Sequence, residues 1–351
     1  MNYDAILLAS FGGPEGPDEV MPFLERVTDG RGVPRERLEA VSHHYMALGG
    51  VSPINAQNRE LLGHLRAMMD RRGIDVPLFW GNRNSAPFFV DALREIHAAG
   101  HRRLLAIATS AYSSYSGCRQ YRENLAVAMD EAGLTGEIEI AKGRPYYGRS
   151  GFVDPFVDGV VDALDGVTDP ASVRVLFTTH SIPATMAESA GPDELRHGLP
   201  GLYERQHLDV AQRVMSAVED TTQLNPIDWR LVFQSRSGPP QVPWLEPDIG
   251  DAVRASSADG MSAVVVVPIG FVSDHVEVVW DLDHEAREIA EEVGITFTRV
   301  ATPGVDPRFV GSLVDIMSDA LDGQPTSSDS GLCALTCCRN ARADLPVVAG
   351  C

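Results

Sequence analysis

The sequence predicts an α/β protein made of two similar Rossmann-like domains, each a parallel sheet flanked by helices, followed by a short cysteine-bearing C-terminal tail. Short apolar runs alternate with segments of helical period, the runs recur in the same order in both halves of the chain, and most cysteines crowd near its end. Continuous apolar strands that alternate with helices are typical of parallel sheets covered on both faces.

Strands are expected where an apolar run is followed by small or polar residues. These runs read AILLAS, PLFWGN, RLLAIATS, VRVLFTTH, RLVFQS and AVVVVP. Between them, residues 56–73 and 119–133 have the period and composition of surface helices. The alternation indicates strand–helix–strand units and therefore parallel sheets.

Three strand ends of the first half recur in the second half. SFGGP corresponds to THSIP, FWGNRN to FQSRSG, and LLAIATS to VVVVPIG. Two copies of one α/β unit explain this order. We therefore predict an N-terminal domain at 1–155, a C-terminal domain at 156–323 whose last helix can pack back on the first domain, and a linker with the cysteine-rich tail at 324–351.

The composition excludes several classes of protein. With 44% hydrophobic and 22% charged residues the chain can bury a large core, and its formal net charge of -20 argues against a broad basic face for duplex nucleic acid or anionic lipid. No apolar stretch approaches the roughly 18 residues of a membrane span, and the N-terminus lacks the features of a secretory signal. A cytoplasmic protein is expected, and a monomer, because each repeat can bury its sheet against its own helices.

Polar loops follow the predicted strands and should meet at one cleft. In open parallel sheets, ligands bind outside the carboxyl ends of the strands, and in two-domain proteins they bind between the domains. The loops are SFGGP, TSAYSSYSG, THSIP, QSRSGPP and PIGFVSDH. The site residues are therefore expected in these loops.

His180 stands at the corner where the apolar run VRVLFT gives way to a loop. A neutral imidazole at such a corner can accept a proton or bind a metal of borderline softness. The alternative is a histidine that only caps the loop by hydrogen bonding. Position alone favours neither interpretation.

Three acids, Glu277, Asp281 and Glu285, recur every fourth residue after the AVVVVP run. In a regular helix they span roughly 80° of one side, and one extra residue per turn, a π-bulge, would align them more closely. A solvated helix face is the ordinary explanation of such a pattern. Apolar residues on both sides of Glu277 argue against it, because a carboxylate among them needs a partner such as a metal or a histidine.

The segment 26–37 is the most basic part of an acidic chain, and Arg31 lies within it. A solvated surface is the ordinary explanation. The alternative is recognition of carboxylates, which the planar guanidinium binds through two parallel hydrogen bonds.

Several of these stretches together resemble the ferrochelatase family, whose members insert ferrous iron into a porphyrin. The resemblance rests on TSAYSSYSGCRQY, TTHSIP, FQSRSGPPQVPWLEPD and, above all, PIGFVSDHVEVVWDLDHEA, and it extends from about residue 3 to about residue 320. It implies the chelatase-type pair of Rossmann-like domains. The tail and Cys118 resemble the actinobacterial branch of the family, whose substrate is coproporphyrin III and whose iron product passes to a decarboxylase that forms haem.

The resemblance also implies roles for individual residues. His180 and Glu277 match the pair that faces the porphyrin centre and handles iron and pyrrole protons, without indicating which residue does which. Asp281 and Glu285 match further acids of the family's π-helix.

Four other positions match residues around the porphyrin. Ser52 and Tyr121 match porphyrin contacts, and Arg31 matches an arginine near a propionate. Phe11 stands where related bacterial enzymes carry a tyrosine that can ligate iron axially. Because phenylalanine has no oxygen to bind iron, the resemblance does not imply an axial iron ligand at this position.

The cysteines extend the resemblance. In a large cytoplasmic chain, clustered thiols more often bind metal than form structural disulfides. The resemblance implies a 2Fe-2S cluster held by Cys118, Cys333, Cys337 and Cys338, with Cys351 as an alternate for one of them. Its role would be structural or sensory, because iron insertion needs no electron transfer. A chain end with incidental thiols is the alternative.

The function expected from the sequence is insertion of ferrous iron into coproporphyrin III to give coprohaem, followed by transient hand-off to a coprohaem decarboxylase. The alternatives are the same reaction on protoporphyrin IX, insertion of cobalt or nickel into a tetrapyrrole, and a non-catalytic tetrapyrrole or metal carrier. In a carrier, His180 and the acids would only bind.

Overall fold

Two parallel β-sheets form the core of the chain, one from each half, and the C-terminal strand β9 is added to the first. The computed structural model describes residues 3–196, 198, 200–238, 241–323, 334 and 336–350. The first sheet contains β1 (Ala5–Ser10), β2 (Leu78–Asn82), β3 (Arg103–Ala108), β4 (Glu139–Lys142) and β9 (Ala349–Gly350). The second sheet contains β5 (Val173–His180), β6 (Asp228–Gln234), β7 (Ala263–Val267) and β8 (Thr296–Arg299).

The two sheets have the same strand order. The first runs β2-β1-β3-β4-β9 and the second runs β6-β5-β7-β8, with every pair parallel. The first three strands of each sheet occupy equivalent positions, so the predicted α/β repeat is confirmed. In both sheets the strand order reverses beside the first strand, and open parallel sheets bind ligands at such switch points.

Alternate residues of the central strands face opposite layers of helices. In β1, Ile6 and Leu8 pack in one core cluster, whereas Leu7 packs in a second cluster on the other face. All three side chains are fully buried. A strand buried on both faces requires the continuous apolar run that the sequence shows.

Helices cover both faces of each sheet. Those of the first half are α1 (Pro17–Val27), α2 (Arg35–Ala47), α3 (Ile54–Arg71), α4 (Phe89–Ala98), α5 (Gln120–Glu131) and α6 (Ser150–Ala163). The others are α7 (Ala184–Glu188), α8 (Leu202–Thr222), α9 (Ile249–Ala258), α10 (Val276–Val278), α11 (Arg287–Val293) and α12 (Pro307–Leu321). Two segments, Tyr115–Arg119 and Val279–Ala286, are π-helical. None of the described helices is both long and apolar enough to cross a lipid bilayer.

An apolar cluster joins the two halves of the chain. It contains side chains of α3, α6, α8 and α12 together with Ile6 of β1 and Phe177 of β5. Helix α12 packs on α3 and α6, and its Asp319 accepts a hydrogen bond from Arg149 at 3.0 Å. The last helix therefore lies against helices of the first half. Residue 155 falls inside α6, and the division of the chain at that point stays a prediction.

The C-terminal residues return to the first sheet. Strand β9 pairs with β4, and Val348 is buried in the cluster formed by α4, α5 and the strands. The buried Arg122 of α5 donates from Nε to the carbonyl oxygen of Val348 at 2.9 Å. The end of the tail is thus held by backbone pairing and by a buried guanidinium.

Phe152 offers a test of the shared core. Its fully buried ring contacts the rings of Phe156 and Phe309. Because truncation leaves a cavity between the two halves, we expect Phe152→Ala to lower the free energy of unfolding by about 3–5 kcal/mol in urea denaturation. Val51→Ala, at a 45% exposed position, should change it by less than about 0.5 kcal/mol. A Phe152→Ala chain as stable as the Val51→Ala chain would contradict this account of the core.

Candidate active site

The carboxyl ends of β5 and β7 bring together two residues that are distant in the sequence. Strand β5 ends at His180, and the chain that leaves β7 leads into α10, which carries Glu277. The two strands are neighbours and run parallel. Adjacent parallel strands end at the same edge of the sheet, so the loops that follow them meet there.

The imidazole of His180 faces the carboxylate of Glu277. Nε2 of His180 lies 3.6 Å from Oε2 of Glu277, and the two side chains are 34% and 41% exposed. Nδ1 of His180 lies 2.5 Å from the carbonyl oxygen of Ser181. Since a carbonyl oxygen only accepts hydrogen bonds, Nδ1 donates its N–H, and Nε2 is left to exchange a proton or bind a metal.

The environment favours an ionised pair. Burial opposes ionisation of Glu277, but His180 and the nearby His275 and His44 outweigh it and lower the pKa of Glu277 to about 2. Burial also lowers the pKa of His180, but the hydrogen bond and charge of Glu277 prevail and hold that pKa above its usual value. The pair is thus a carboxylate beside an imidazole that retains its second proton to a higher pH than usual.

The acids beyond Glu277 lie on the π-helical segment Val279–Ala286. A π-helix has more residues per turn than an α-helix, so residues four apart project from nearly the same side. The sequence here is β-branched and favours a strand by local propensity. Val276 and Val278 are nevertheless buried at 1% and 0% exposure, and their packing against the core overrides that propensity.

Asp281 is fixed by the end of β6. Its Oδ2 accepts a hydrogen bond from Oγ of Ser235 and another from Nε2 of Gln234 at 3.3 Å. Burial raises the pKa of Asp281 to about 7, with the charges of Glu277 and Glu285 adding to the rise and the Ser235 hydrogen bond opposing it. A carboxyl group that titrates near neutral pH can take up and release protons beside His180 and Glu277.

Glu285 lies at the exposed end of the acid series. Its Oε1 accepts a hydrogen bond from Nε1 of Trp280 at 2.8 Å. The Trp280 ring stacks on His44 of α2 with 4.4 Å between centroids and on His284 with 5.1 Å. The stack connects a helix of the first half to the π-helical segment of the second half.

The hairpin of α1 and α2 covers α10. Val276 packs with Phe23 of α1 and Tyr45 of α2 in a buried cluster, and Phe11 packs against that cluster. Burial, followed by the charges of Glu277 and Asp281, raises the pKa of Tyr45 well above its usual value. The Tyr45 phenol therefore stays protonated beside the acids.

The four residues matched to the porphyrin are placed differently. The guanidinium of Arg83 lies between the rings of Phe11 and Tyr121, 5.2 Å and 4.8 Å from their centroids. Tyr121 and Ser52 are each 3% exposed. Arg31 lies in the exposed turn after α1. The structure thus joins Phe11 and Tyr121 through Arg83, buries Ser52 and leaves Arg31 exposed.

Cys118, Cys337 and Cys338 form a small buried cluster. The Sγ atoms of Cys337 and Cys338 are 3.7 Å apart, and the backbone N–H of Gly191 donates to Sγ of Cys338 at 3.0 Å. Hydrogen bonds with the two other thiols, together with burial, raise the pKa of Cys338. Cys333 and Cys351 lie outside the described residues. Within the described residues, no group of three or more His, Cys, Asp or Glu side chains is arranged to hold a metal.

Comparison with known proteins decides the family. The family model described as Ferrochelatase matches residues 3–321. The chain belongs to the ferrochelatase family. As a member of this family it is a metal chelatase, and the match includes the His180–Glu277 pair and every strand of the two sheets except β9.

Several curated relatives match almost the whole of this ferrochelatase. Proteins named Coproporphyrin III ferrochelatase are 52% identical in Streptomyces coelicolor and 49% identical in Leifsonia xyli, each over 99% of this chain and over 96% and 94% of their own lengths. A protein named Ferrochelatase from Rhodopirellula baltica is 43% identical over 99% of this chain and 97% of its own.

Solved structures support the fold. SirB from Bacillus subtilis with Fe3+ superposes with a TM-score of 0.51 at 12% identity, over 92% of this chain and 98% of that chain. DR2241 from Deinococcus radiodurans, described as similar to chelatases, gives 0.50 at 13% identity, over 93% of this chain and 56% of that one. The predicted chelatase-type fold is confirmed.

Sequence reasoning missed several residues that shape the site. Ser235 and Gln234 hold Asp281, and Ser235 has the positive φ of 60° that non-glycine residues rarely adopt. A signal existed, because FQSRSG corresponds to FWGNRN in the first half and ends a strand at the same edge. No pattern in the sequence indicates that His44 would stack on Trp280.

The raised pKa of Asp281 gives a pH-dependent test. An acid whose pKa rises from 3.8 when unfolded to about 7 when folded contributes stability that is present below pH 3.8 and is lost as the pH rises through 7. Asp281→Asn removes the ionisable group and therefore this loss of stability at high pH. The urea midpoint of Asp281→Asn minus that of the wild type should therefore be larger at pH 8 than at pH 5. A difference between the two chains that does not grow with pH would contradict the buried, acid-flanked environment of Asp281.

Proposed function

We propose that the chain inserts ferrous iron into coproporphyrin III and releases coprohaem for haem biosynthesis. The observation that carries the proposal is the contact of His180 Nε2 with Glu277 Oε2 at the edge of the second sheet. The choice of porphyrin rests on the relatives from Streptomyces coelicolor and Leifsonia xyli, whose names specify coproporphyrin III.

The chemistry requires a base beside a metal site. Two pyrrole N–H protons leave as one Fe2+ enters, so the macrocycle exchanges two positive charges for two. Glu277, with a pKa of about 2, supplies negative charge for the cation at any physiological pH. Nε2 of His180 becomes a neutral base or metal ligand once its proton has passed to solvent. Either residue can bind the iron or accept the pyrrole protons, and the proposal does not assign these two roles between them.

We propose that Asp281 and Glu285 extend the pair towards the surface. Asp281 lies beside it with a pKa of about 7, and Glu285 is exposed. A π-helix with acids four residues apart places them in series on one side. The series would carry protons outward or hydrated iron inward.

Porphyrin binding must also bend the macrocycle, because a nitrogen lone pair has to point out of its plane. A site that binds the bent form stabilises the transition state. We propose Phe11, Ser52 and Tyr121 as porphyrin contacts and Arg31 as a propionate contact. Ser52 and Tyr121 are buried, so a porphyrin would reach them only after side chains around them rearrange.

A 2Fe-2S cluster is the further cofactor that we propose. Its ligands would be Cys118, Cys337, Cys338 and a fourth cysteine, with Cys333 preferred and Cys351 as the alternate. The support for this proposal is the buried packing of three thiols and the backbone N–H aimed at one sulfur, although the described thiols do not stand in a metal-holding arrangement and would have to shift to ligate iron. When bound, it would crosslink the tail to the π-helical turn before α5. If the anaerobically purified chain shows no iron–sulfur absorbance and no acid-labile sulfide, the proposed 2Fe-2S cluster is wrong.

We also propose a cytoplasmic monomer that passes coprohaem to a decarboxylase by transient contact. Each sheet packs against helices of the same chain. Sedimentation of the purified protein as a stable dimer would contradict the monomer.

Anaerobic incubation with Fe2+ and each porphyrin, followed through the Soret band, tests the function. We expect insertion into coproporphyrin III with a higher kcat/KM than into protoporphyrin IX. A preference for protoporphyrin IX would overturn the choice of substrate, and faster insertion of cobalt or nickel would overturn the choice of metal. Porphyrin binding without insertion of any metal would point to a carrier.

Replacement of the pair tests its role. We expect His180→Ala and Glu277→Gln each to lower turnover at least about 100-fold, since positioned acid–base groups contribute that much or more, while the Kd for coproporphyrin III stays within a few fold. Glu288→Gln, at an exposed position on α11, serves as the control and should keep wild-type turnover. Wild-type turnover in either the His180→Ala or the Glu277→Gln variant would contradict the proposed role of the pair.

A further inference from the structure

A buried phenol lies behind the end of β5. Tyr203 of α8 is 6% exposed, and its hydroxyl donates a hydrogen bond to the backbone carbonyl oxygen of His180 at 3.0 Å. The same hydroxyl lies 2.7 Å from Oγ1 of Thr179. Because the phenol has a single proton and the carbonyl can only accept, Thr179 is the donor in this second bond. The last two residues of β5 are therefore hydrogen-bonded to α8 through one hydroxyl.

His207 holds Tyr203 from the next turn of α8. Nδ1 of His207 lies 2.7 Å from the backbone carbonyl oxygen of Tyr203, so Nδ1 carries the proton of the neutral ring. The ring is fully buried, and burial lowers the pKa of His207 to about 3. His207 therefore stays neutral at physiological pH and adds no positive charge to this part of the core.

The ring of Tyr112 completes a group that we call the ring cluster, which consists of Tyr203, His207 and Tyr112. The His207 ring lies 4.4 Å from the Tyr203 ring and 3.6 Å from the Tyr112 ring, measured between centroids. The hydroxyl of Tyr112 donates to the backbone carbonyl oxygen of Ile269 at 2.9 Å. Tyr112 belongs to the loop after β3, and Ile269 to the segment between β7 and α10. The ring cluster therefore binds the end of β5 on one side and the segment that leads to Glu277 on the other.

The two segments that the ring cluster joins are also in direct contact. The backbone N–H of Gly270 donates to the carbonyl oxygen of Thr178 at 3.1 Å. A Cβ atom added to Gly270 would lie 2.1 Å from Oγ1 of Thr179, the partner of the Tyr203 hydroxyl. The segment after β7 therefore packs against the end of β5 with no room for a side chain, and each segment has one phenol bonded to its backbone.

We propose that Tyr203 and Tyr112 are positioning residues that fix the imidazole of His180 relative to the carboxylate of Glu277. This inference rests on the function proposed above. Both hydroxyls bond to backbone carbonyl oxygens, so the two tyrosines act through the pair and not on the porphyrin. Loss of the Tyr203 hydroxyl frees the peptide unit from which the imidazole projects, and a small misplacement of reacting groups costs much of their catalytic effect.

Turnover and porphyrin binding, measured separately, test the proposal. Tyr203→Phe removes one oxygen and keeps the ring. We expect it to lower kcat for anaerobic iron insertion at least about 5-fold, while the Kd for coproporphyrin III, measured without iron, stays within about twofold of wild type. Tyr112→Phe should also lower kcat and leave the Kd unchanged. Wild-type kcat in either variant overturns the role of that tyrosine.

Tyr146→Phe is the matched control. Tyr146 is 4% exposed, and its hydroxyl donates to the backbone carbonyl oxygen of Ala108 at 3.0 Å, at the end of β3 in the first sheet. The control variant loses the same kind of buried hydrogen bond, so its urea midpoint should fall as that of Tyr203→Phe does. Its kcat should match wild type. An equal loss of kcat in Tyr146→Phe and Tyr203→Phe would indicate general loosening and contradict positioning.

The His180→Ala chain offers a second readout. If the Tyr203 hydroxyl acts through the imidazole, adding Tyr203→Phe to His180→Ala should cost no further turnover, whereas independent effects would multiply. A further loss as large as in the wild-type background contradicts the proposal. When the wild-type chain inserts iron, wild-type kcat in Tyr203→Phe overturns this inference alone. A wild-type chain that inserts no metal into coproporphyrin III overturns the proposed function and this inference with it.

Discussion

The contact between an imidazole and a carboxylate at the edge of the second sheet is the constraint on which the rest of the site depends. His180 can meet Glu277 only because β5 and β7 are adjacent, parallel and end together. Gln234 reinforces the arrangement: its Oε1 accepts a hydrogen bond from Thr178 of β5, and its Nε2 reaches Asp281. Three neighbouring strands therefore determine the positions and the protonation of the groups proposed to exchange iron for protons.

Both halves of the internal repeat contain a π-helical turn at the equivalent place. The segments after the equivalent strands β3 and β7 each lead into such a turn. Because a π-helix has more residues per turn than an α-helix, side chains four residues apart project from nearly the same side. In the second half the turn aligns acids behind Glu277. In the first half it carries Tyr115 and Cys118, which contact the tail through Glu123 and through the buried thiols. On our proposals, the second half therefore supplies the metal chemistry, and the first half supplies contacts to the porphyrin.

The sequence predicts the parts of the structure that depend on continuous local patterns. The strands and their repeat follow from apolar runs, and the meeting of His180 with Glu277 follows from the edge at which parallel strands end. The stretch VEVVW was ambiguous because its valines favour a strand, and only burial of Val276 and Val278 against the core makes it helical. The contacts of Ser235, the stack of His44 on Trp280 and the pairing of β9 depend on tertiary approach of distant segments, and a two-residue strand leaves no period to detect.

On our proposal, the His180–Glu277 pair conducts the pyrrole protons as iron enters. Proton release during a single anaerobic turnover, measured with a pH indicator in weak buffer while the Soret band is recorded, tests it most directly. We expect two protons to be released per iron at the rate of the Soret change in the wild-type chain, and no such release from the porphyrin complex of Glu277→Gln after iron is added. Proton release on porphyrin binding before iron arrives, or unchanged release from the Glu277→Gln complex, would contradict it.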